Sequence, residues 1–205
     1  AEKSEISVQL TCKVLRESCH QMAEWQQSFT RPLDLSVNIS PKLFTRPEFI
    51  DQVAGAITSS GLLPGTLRVE IPESVLIDHS DVVDHNFERL RRIKVALLLD
   101  NFGSGYASLS YLQRYRVDAL KLDKSLVARM GTHDDDMASV IVKLAGALGM
   151  GLIAEGVETA AHAEQLRALD CPHAQGYLFS APLAASDVTA LLSKEFIVQA
   201  LPAAS

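Results

Sequence analysis

Apolar residues recur at helical spacing from Ile6 to Phe29, where Leu10, Val14, Leu15, Cys19, Met22 and Trp25 form the stripe and Pro32 follows the last turn. This pattern predicts a long amphipathic helix. Leu33–Asn38 then alternates with period two and predicts a strand, closed by Asn38-Ile39-Ser40-Pro41. A helix is expected over Pro47–Ser60, with Pro47 in its first turn and Gly61 just past its end. Leu67–Ile71 reads as a second strand, which Pro72 stops from continuing as a central one. Val82–Ile93 is helical, and Val95–Leu99 is an apolar run of the kind that fills a strand buried on both faces.

The second half keeps the alternation. Ala107–Tyr115 predicts a short helix and Asp118–Asp123 a fourth strand; Asp134-Asp135-Asp136 then favours the start of a helix running to Met150. Gly151–Glu155 is a fifth strand, Thr159–Leu169 a helix, Ala174–Phe179 a sixth strand, and Ser186–Lys194 a final helix before a frayed end at Leu201–Ser205. Strands separated by helices imply a parallel sheet with helical crossovers, either doubly wound or a β/α barrel. The polar residues choose between them. Asn38, Glu70, Asp100, Lys121, Glu155 and Gln175 each sit at or near the C-terminal end of a different strand. A barrel gathers such residues into one ring, whereas a doubly wound sheet uses one crevice. The expected fold is therefore α/β, a TIM-like (β/α) barrel in a single domain over residues 1–205, with its core in 1–195 and a tail at 196–205.

Composition narrows the function. At 47% hydrophobic and 21% charged, 205 residues suit one globular core. Net charge is −6 with no sustained basic run, so the footprint of a DNA- or RNA-binding protein is missing. Cys12, Cys19 and Cys171 are odd in number and lack C-x-x-C spacing, which argues against a disulfide framework or a cysteine zinc site and for a reducing, cytoplasmic compartment. The most apolar window, Ala138–Ile153, is interrupted by Lys143 and three glycines; no membrane contact by this domain is expected, although a parent protein could be anchored.

Glu70, Asp100, Glu155 and Asn38 offer hard oxygen donors, and clustered carboxylates need a cation, so magnesium, manganese or calcium is the implied guest. The six histidines show no H-E-x-x-H pairing and are set aside as ligands. Lys121 is the one cation at a strand end; it could orient a water, touch a phosphate, form a Schiff base as in an aldolase-like barrel, or neutralise the acidic ring. After Asp100-Asn101-Phe102, glycines at 103 and 105 permit a turn that approaches a phosphate closely or moves over a ligand, but G-x-G alone is weak evidence.

Together and in order, Val37-Asn-Ile-Ser40, Glu70-Ile-Pro-Glu-Ser74, Leu99-Asp-Asn-Phe-Gly-Ser-Gly-Tyr-Ala-Ser-Leu109, Lys121-Leu-Asp123, Ala154-Glu-Gly-Val-Glu158-Thr and Gln175-Gly-Tyr177 resemble the EAL domains of bacterial cyclic di-GMP signalling, from Ala1 to about Pro182. The resemblance implies a β/α barrel in which Asn38, Glu70 and Asp100 hold one divalent ion and Asp100, with the position of Asn101, reaches a second. It further implies that Lys121, Glu155 and Glu158 serve catalysis. Asn38, Asp100, Phe102 and Gln175 are implied in ligand binding, and Glu73 in steadying the loop at 102–109.

Departures from the family pattern shape the expectation. Active members carry two aspartates where this chain has Asp100-Asn101, and Pro72 replaces a threonine. The name-giving Glu-Ala-Leu segment has no counterpart here, and six strands stand in place of eight, which leaves sheet edges to be covered by a preceding segment or by another element. The resemblance thus implies a degenerate domain that binds cyclic di-GMP, a protein partner or both, with weak or no hydrolysis. The alternative is a metal-dependent phosphodiesterase that converts cyclic di-GMP to pGpG. An upstream sensory or diguanylate-cyclase-like module and a homodimer are the implied partners.

Overall fold

The computed structural model describes residues 2–78, 80–103, 109–130 and 137–194. Helix α1 (Glu2–Ser28) leads into β1 (Leu35–Asn38), α2 (Pro41–Phe44) and α3 (Phe49–Ser60). Strand β2 (Leu67–Pro72) is followed by a 3-10 turn (Glu73–Ile77) and α4 (Asp81–Arg92), and β3 (Ala96–Phe102) by α5 (Leu109–Tyr115). Then come β4 (Ala119–Leu122), α6 (Lys124–Arg129), α7 (Met137–Leu148), β5 (Gly151–Ala154), α8 (Ala160–Ala168), β6 (His173–Ala174) and α9 (Ala185–Ser193).

The strands form one sheet in the order β1-β2-β3-β4-β5-β6, and every neighbouring pair is parallel. Strands that follow one another in space as they do in sequence wind a barrel; a doubly wound sheet would reverse its order at a switch point. The result is the curled, six-stranded part of a TIM-like barrel. No helix among the described residues is long and apolar enough to cross a membrane.

Register explains which side chains share a face. Residues paired across parallel strands, and every second residue along each strand, point the same way. Asn38 pairs with Glu70, Arg68 with Ala96, Leu98 with Ala119, and Lys121 with Ile153, while Pro72 pairs with Asp100. Asn38, Glu70, Asp100 and Lys121 therefore project from the inner face at its C-terminal rim. The outer face carries Val37, Leu67, Val69, Ile71, Leu97, Leu99, Leu120, Leu122, Leu152 and Ala154, each at most 5% exposed beneath the helices. From β1 to β5 the outer row builds the core and the rim of the inner row builds the site.

Several elements differ from the sequence expectation. The predicted helix at Pro47–Ser60 begins at Phe49, and Pro41 opens a separate short helix whose N-cap, Ser40, accepts from Leu43 N. Packing makes the break: Phe44 sits between the rings of Phe49 and Phe87, at 5.0 and 4.9 Å, and buried Asn86 donates to the carbonyls of Phe44 and Arg46. β2 is a central strand, and Pro72 forms its last residue before the 3-10 turn. Asp123, expected to finish a strand, instead caps α6 by accepting from Ser125 N at 2.8 Å.

The sixth strand is only His173–Ala174 rather than Ala174–Phe179. Residues 175–179 fold across the β5–α8 connection: Val157 N donates to Gln175 O and Leu178 N to Val157 O. A Cβ on Gly176 would lie 2.2 Å from Val157 O, so only glycine allows this crossing. The acidic run at 134–136, residues 107–108 of the predicted helix and the tail at 196–205 lie outside the described residues.

Candidate functional site

The end of β3 shapes the site. Its pairing with β4 shifts between Leu99 and Phe102, a bulge that carries the strand through Asp100-Asn101 instead of stopping at Leu99. Asn101 takes the left-handed conformation (φ 55°), which asparagine tolerates better than most residues. Its exposed amide donates to Asp100 Oδ2 at 2.8 Å. Gly103 follows at φ 95°, where an added Cβ would come within 2.6 Å of Leu126 Cδ1 and 2.8 Å of Ile141 Cδ1. Its N–H donates to Glu73 Oε1 at 2.9 Å, which ties the loop after β3 to the 3-10 turn after β2.

At the centre stands Lys121, 3% exposed. Its Nζ lies 2.5 Å from Glu70 Oε2, 2.5 Å from Glu155 Oε1 and 3.2 Å from Asp100 Oδ1. Gln175 Nε2 donates to the same Glu155 oxygen at 2.6 Å. Four strand ends and the turn after β6 are thereby joined in one polar network. Burial pulls the Lys121 pKa down, but the hydrogen bonds its ammonium donates to Glu155 and Glu70 outweigh it and hold the group charged well above its ordinary range. That is the opposite of what an imine-forming lysine needs, so the geometry speaks against the aldolase-like option. The Glu155 carboxyl is pushed up by burial, with Lys121 opposing.

Three carboxylates around one ammonium leave negative charge uncompensated, and buried Asp100 Oδ1 faces Lys121 Nζ at 3.2 Å without a well-formed hydrogen bond. Hard oxygens, surplus negative charge and a buried carboxylate oxygen with spare acceptor capacity fit a divalent ion. The carboxylates converge on Lys121 rather than on a shared point, and no group of three or more His, Cys, Asp or Glu among the described residues is arranged as a metal site.

The remaining expected residues fall in different places. Asn38 is exposed at the rim, in register with Glu70. Glu158 is exposed and lines a cavity of about 510 Å³ with Glu155, Gln175, Tyr177, Ser180 and Lys124. Phe102, expected to touch ligand, is 7% exposed and packs in the core. Lys124 was not among the expected site residues: it reads as the polar start of a helix, and its place beside Glu155 depends on how β4 and β5 adjoin.

The EAL domain family model matches residues 1–182. The chain is 35% identical over 192 residues to the bifunctional diguanylate cyclase/cyclic di-GMP phosphodiesterase MucR of Pseudomonas aeruginosa, covering 93% of this chain and 28% of that protein. It is 36% identical over 185 residues to the cyclic di-GMP phosphodiesterase NbdA of the same organism, covering 89% and 24%. The chain thus spans about a quarter of the length of these relatives. Among solved structures, the MucR phosphodiesterase in complex with c-di-GMP superposes with a TM-score of 0.86 at 35% identity, over 92% of this chain and 77% of that one. The calcium/cy-diGMP complex of Klebsiella pneumoniae BlrP1 gives 0.73 at 25% identity, over 90% and 46%.

Proposed function

The chain belongs to the EAL domain family, and from that premise we propose that it is a signalling domain that binds cyclic di-GMP at its strand ends and hydrolyses it weakly or not at all. One observation carries the reading: where active members present a second carboxylate, the Asn101 amide is turned onto Asp100 Oδ2. A neutral amide adds no charge for a second ion, and here it donates to an oxygen that an ion would use. By family position, Asn38, Glu70 and Asp100 would hold a divalent ion such as magnesium, manganese or calcium. When bound, such an ion polarises a phosphoryl oxygen and acidifies water. Lys121 keeps Glu70, Asp100 and Glu155 oriented, and Gln175 orients Glu155.

The second reading is a metal-dependent phosphodiesterase releasing pGpG. The undivided network of Glu70, Asp100, Lys121 and Glu155 favours it, as does similarity to proteins named phosphodiesterases. Incubating the full-length protein with cyclic di-GMP and magnesium or manganese separates the two. Ligand binding without pGpG release supports a receptor, and sustained metal-dependent release overturns it. An upstream sensory or cyclase-like module, a homodimeric assembly and a cytoplasmic location belong to the same proposal; the free thiols of Cys12, Cys19 and Cys171 suit a reducing compartment.

A further inference from the structure

We infer that Lys124 is a specificity-determining residue that receives one phosphate of the dinucleotide, an inference that rests on the ligand reading above. The cavity beside the carboxylate network has a volume of about 510 Å³, and among the described residues Lys124 is the one cationic side chain lining it. A ligand with two phosphodiester groups brings two negative charges to a rim already carrying Glu155 and Glu158, so it needs cations supplied locally. Lys121 cannot serve: it is buried and held by Glu70 and Glu155. Lys124 is exposed and makes no ion pair among the described residues, so its ammonium is free to meet an anion.

Backbone geometry fixes where that ammonium starts. Gly156 sits at φ 69° in the turn after β5, and a Cβ there would come 2.5 Å from Lys124 Cβ and 3.3 Å from Lys124 Cα. The missing side chain lets the stem of Lys124 lie against the turn, one residue from Glu155. A lysine suits this task because a compact ammonium on a flexible stem accepts phosphate without demanding bidentate geometry.

The test measures cyclic di-GMP binding to the full-length protein in calcium at several salt concentrations, for the unsubstituted protein, Lys124→Ala and Lys124→Arg. A lost charge-assisted hydrogen bond weakens affinity about tenfold in Lys124→Ala, and the salt dependence becomes shallower. Lys124→Arg, which keeps the charge, stays within about threefold of the unsubstituted protein. Binding by the unsubstituted protein with equal affinity and equal salt dependence in Lys124→Ala overturns the role of Lys124 while leaving the ligand reading intact. Absence of binding by the unsubstituted protein overturns both.

Discussion

Lys121 Nζ and Glu155 Oε1 stand 2.5 Å apart across β4 and the end of β5, and Glu70 closes on the same ammonium from β2. Lys121 is thus the counter-ion of a carboxylate cluster. Removing it in Lys121→Met leaves Glu70, Asp100 and Glu155 facing one another without compensation. Breaking a buried ion pair from one side costs about 3 kcal/mol, which a urea titration would read as a lower midpoint. Manganese should then raise the Tm of Lys121→Met more than that of the unsubstituted protein, because the variant presents more uncompensated negative charge. Equal manganese shifts would show that the cluster does not attract the ion.

Asn101→Asp tests the missing carboxylate. The left-handed backbone at 101 tolerates aspartate as well as asparagine, so the change is one of charge. Without metal, two adjacent carboxylates replace a hydrogen-bonded pair, and stability falls by about 1 kcal/mol. With manganese, pGpG formation should rise more than ligand affinity, since the added charge tightens an ion that activates water. Turnover that stays flat at saturating manganese would shift the defect to Pro72 or to the loop after Gly103.

Gly103 and Glu73 form one brace and should fail together. Gly103→Ala forces a side chain into a positive-φ position against Leu126 and Ile141, at a cost of about 1–3 kcal/mol. Glu73→Ala leaves the Gly103 N–H without this acceptor, at about 1–2 kcal/mol. Strain at 103 shifts the same backbone whose N–H Glu73 holds, so Gly103→Ala also weakens that hydrogen bond, and the double variant should cost less than the sum of the two singles, as read by urea denaturation.

Alkaline pH should unfold the protein earlier than neutral pH. Burial pushes the Cys19 thiol up to about 11 and, with help from Asp84, the Tyr115 phenol up to about 12. Both groups stay neutral in the folded chain while the unfolded chain ionises them nearer 9 and 10, so the unfolded state holds fewer protons in that window. Lys121 acts in the same direction: its raised pKa contributes stability that is full below 10.5 and lost as pH climbs through the folded value. Urea midpoints should be level below about pH 9 and fall above it. Cys19→Ala should flatten the first part of that fall.

Much of this protein was legible in residue order alone. Period-two and period-3.6 patterns are local, so they set the alternation of strands and helices from Ile6 to Lys194. Polar residues ending successive apolar runs marked Glu70, Asp100, Lys121 and Glu155 as one group, because parallel strands in sequence order bring their C-terminal ends to one rim.

What only the tertiary structure decided depends on contacts between residues distant in sequence. The Phe44–Phe49–Phe87 packing set a separate short helix, Pro41–Phe44, ahead of the predicted one, and the closeness of Val157 to Gly176 cut the sixth strand to His173–Ala174. The bulge after Leu99 turned Asn101 onto Asp100 while Phe102 went into the core. Lys121 was readable as a cation at a strand end, but whether it would bind, react or neutralise depended on three carboxylates from three other strands. Distances among them follow from sheet register and curl, which local pattern does not encode. The sequence specified which groups arrive at the rim; packing and register determined which of them touch.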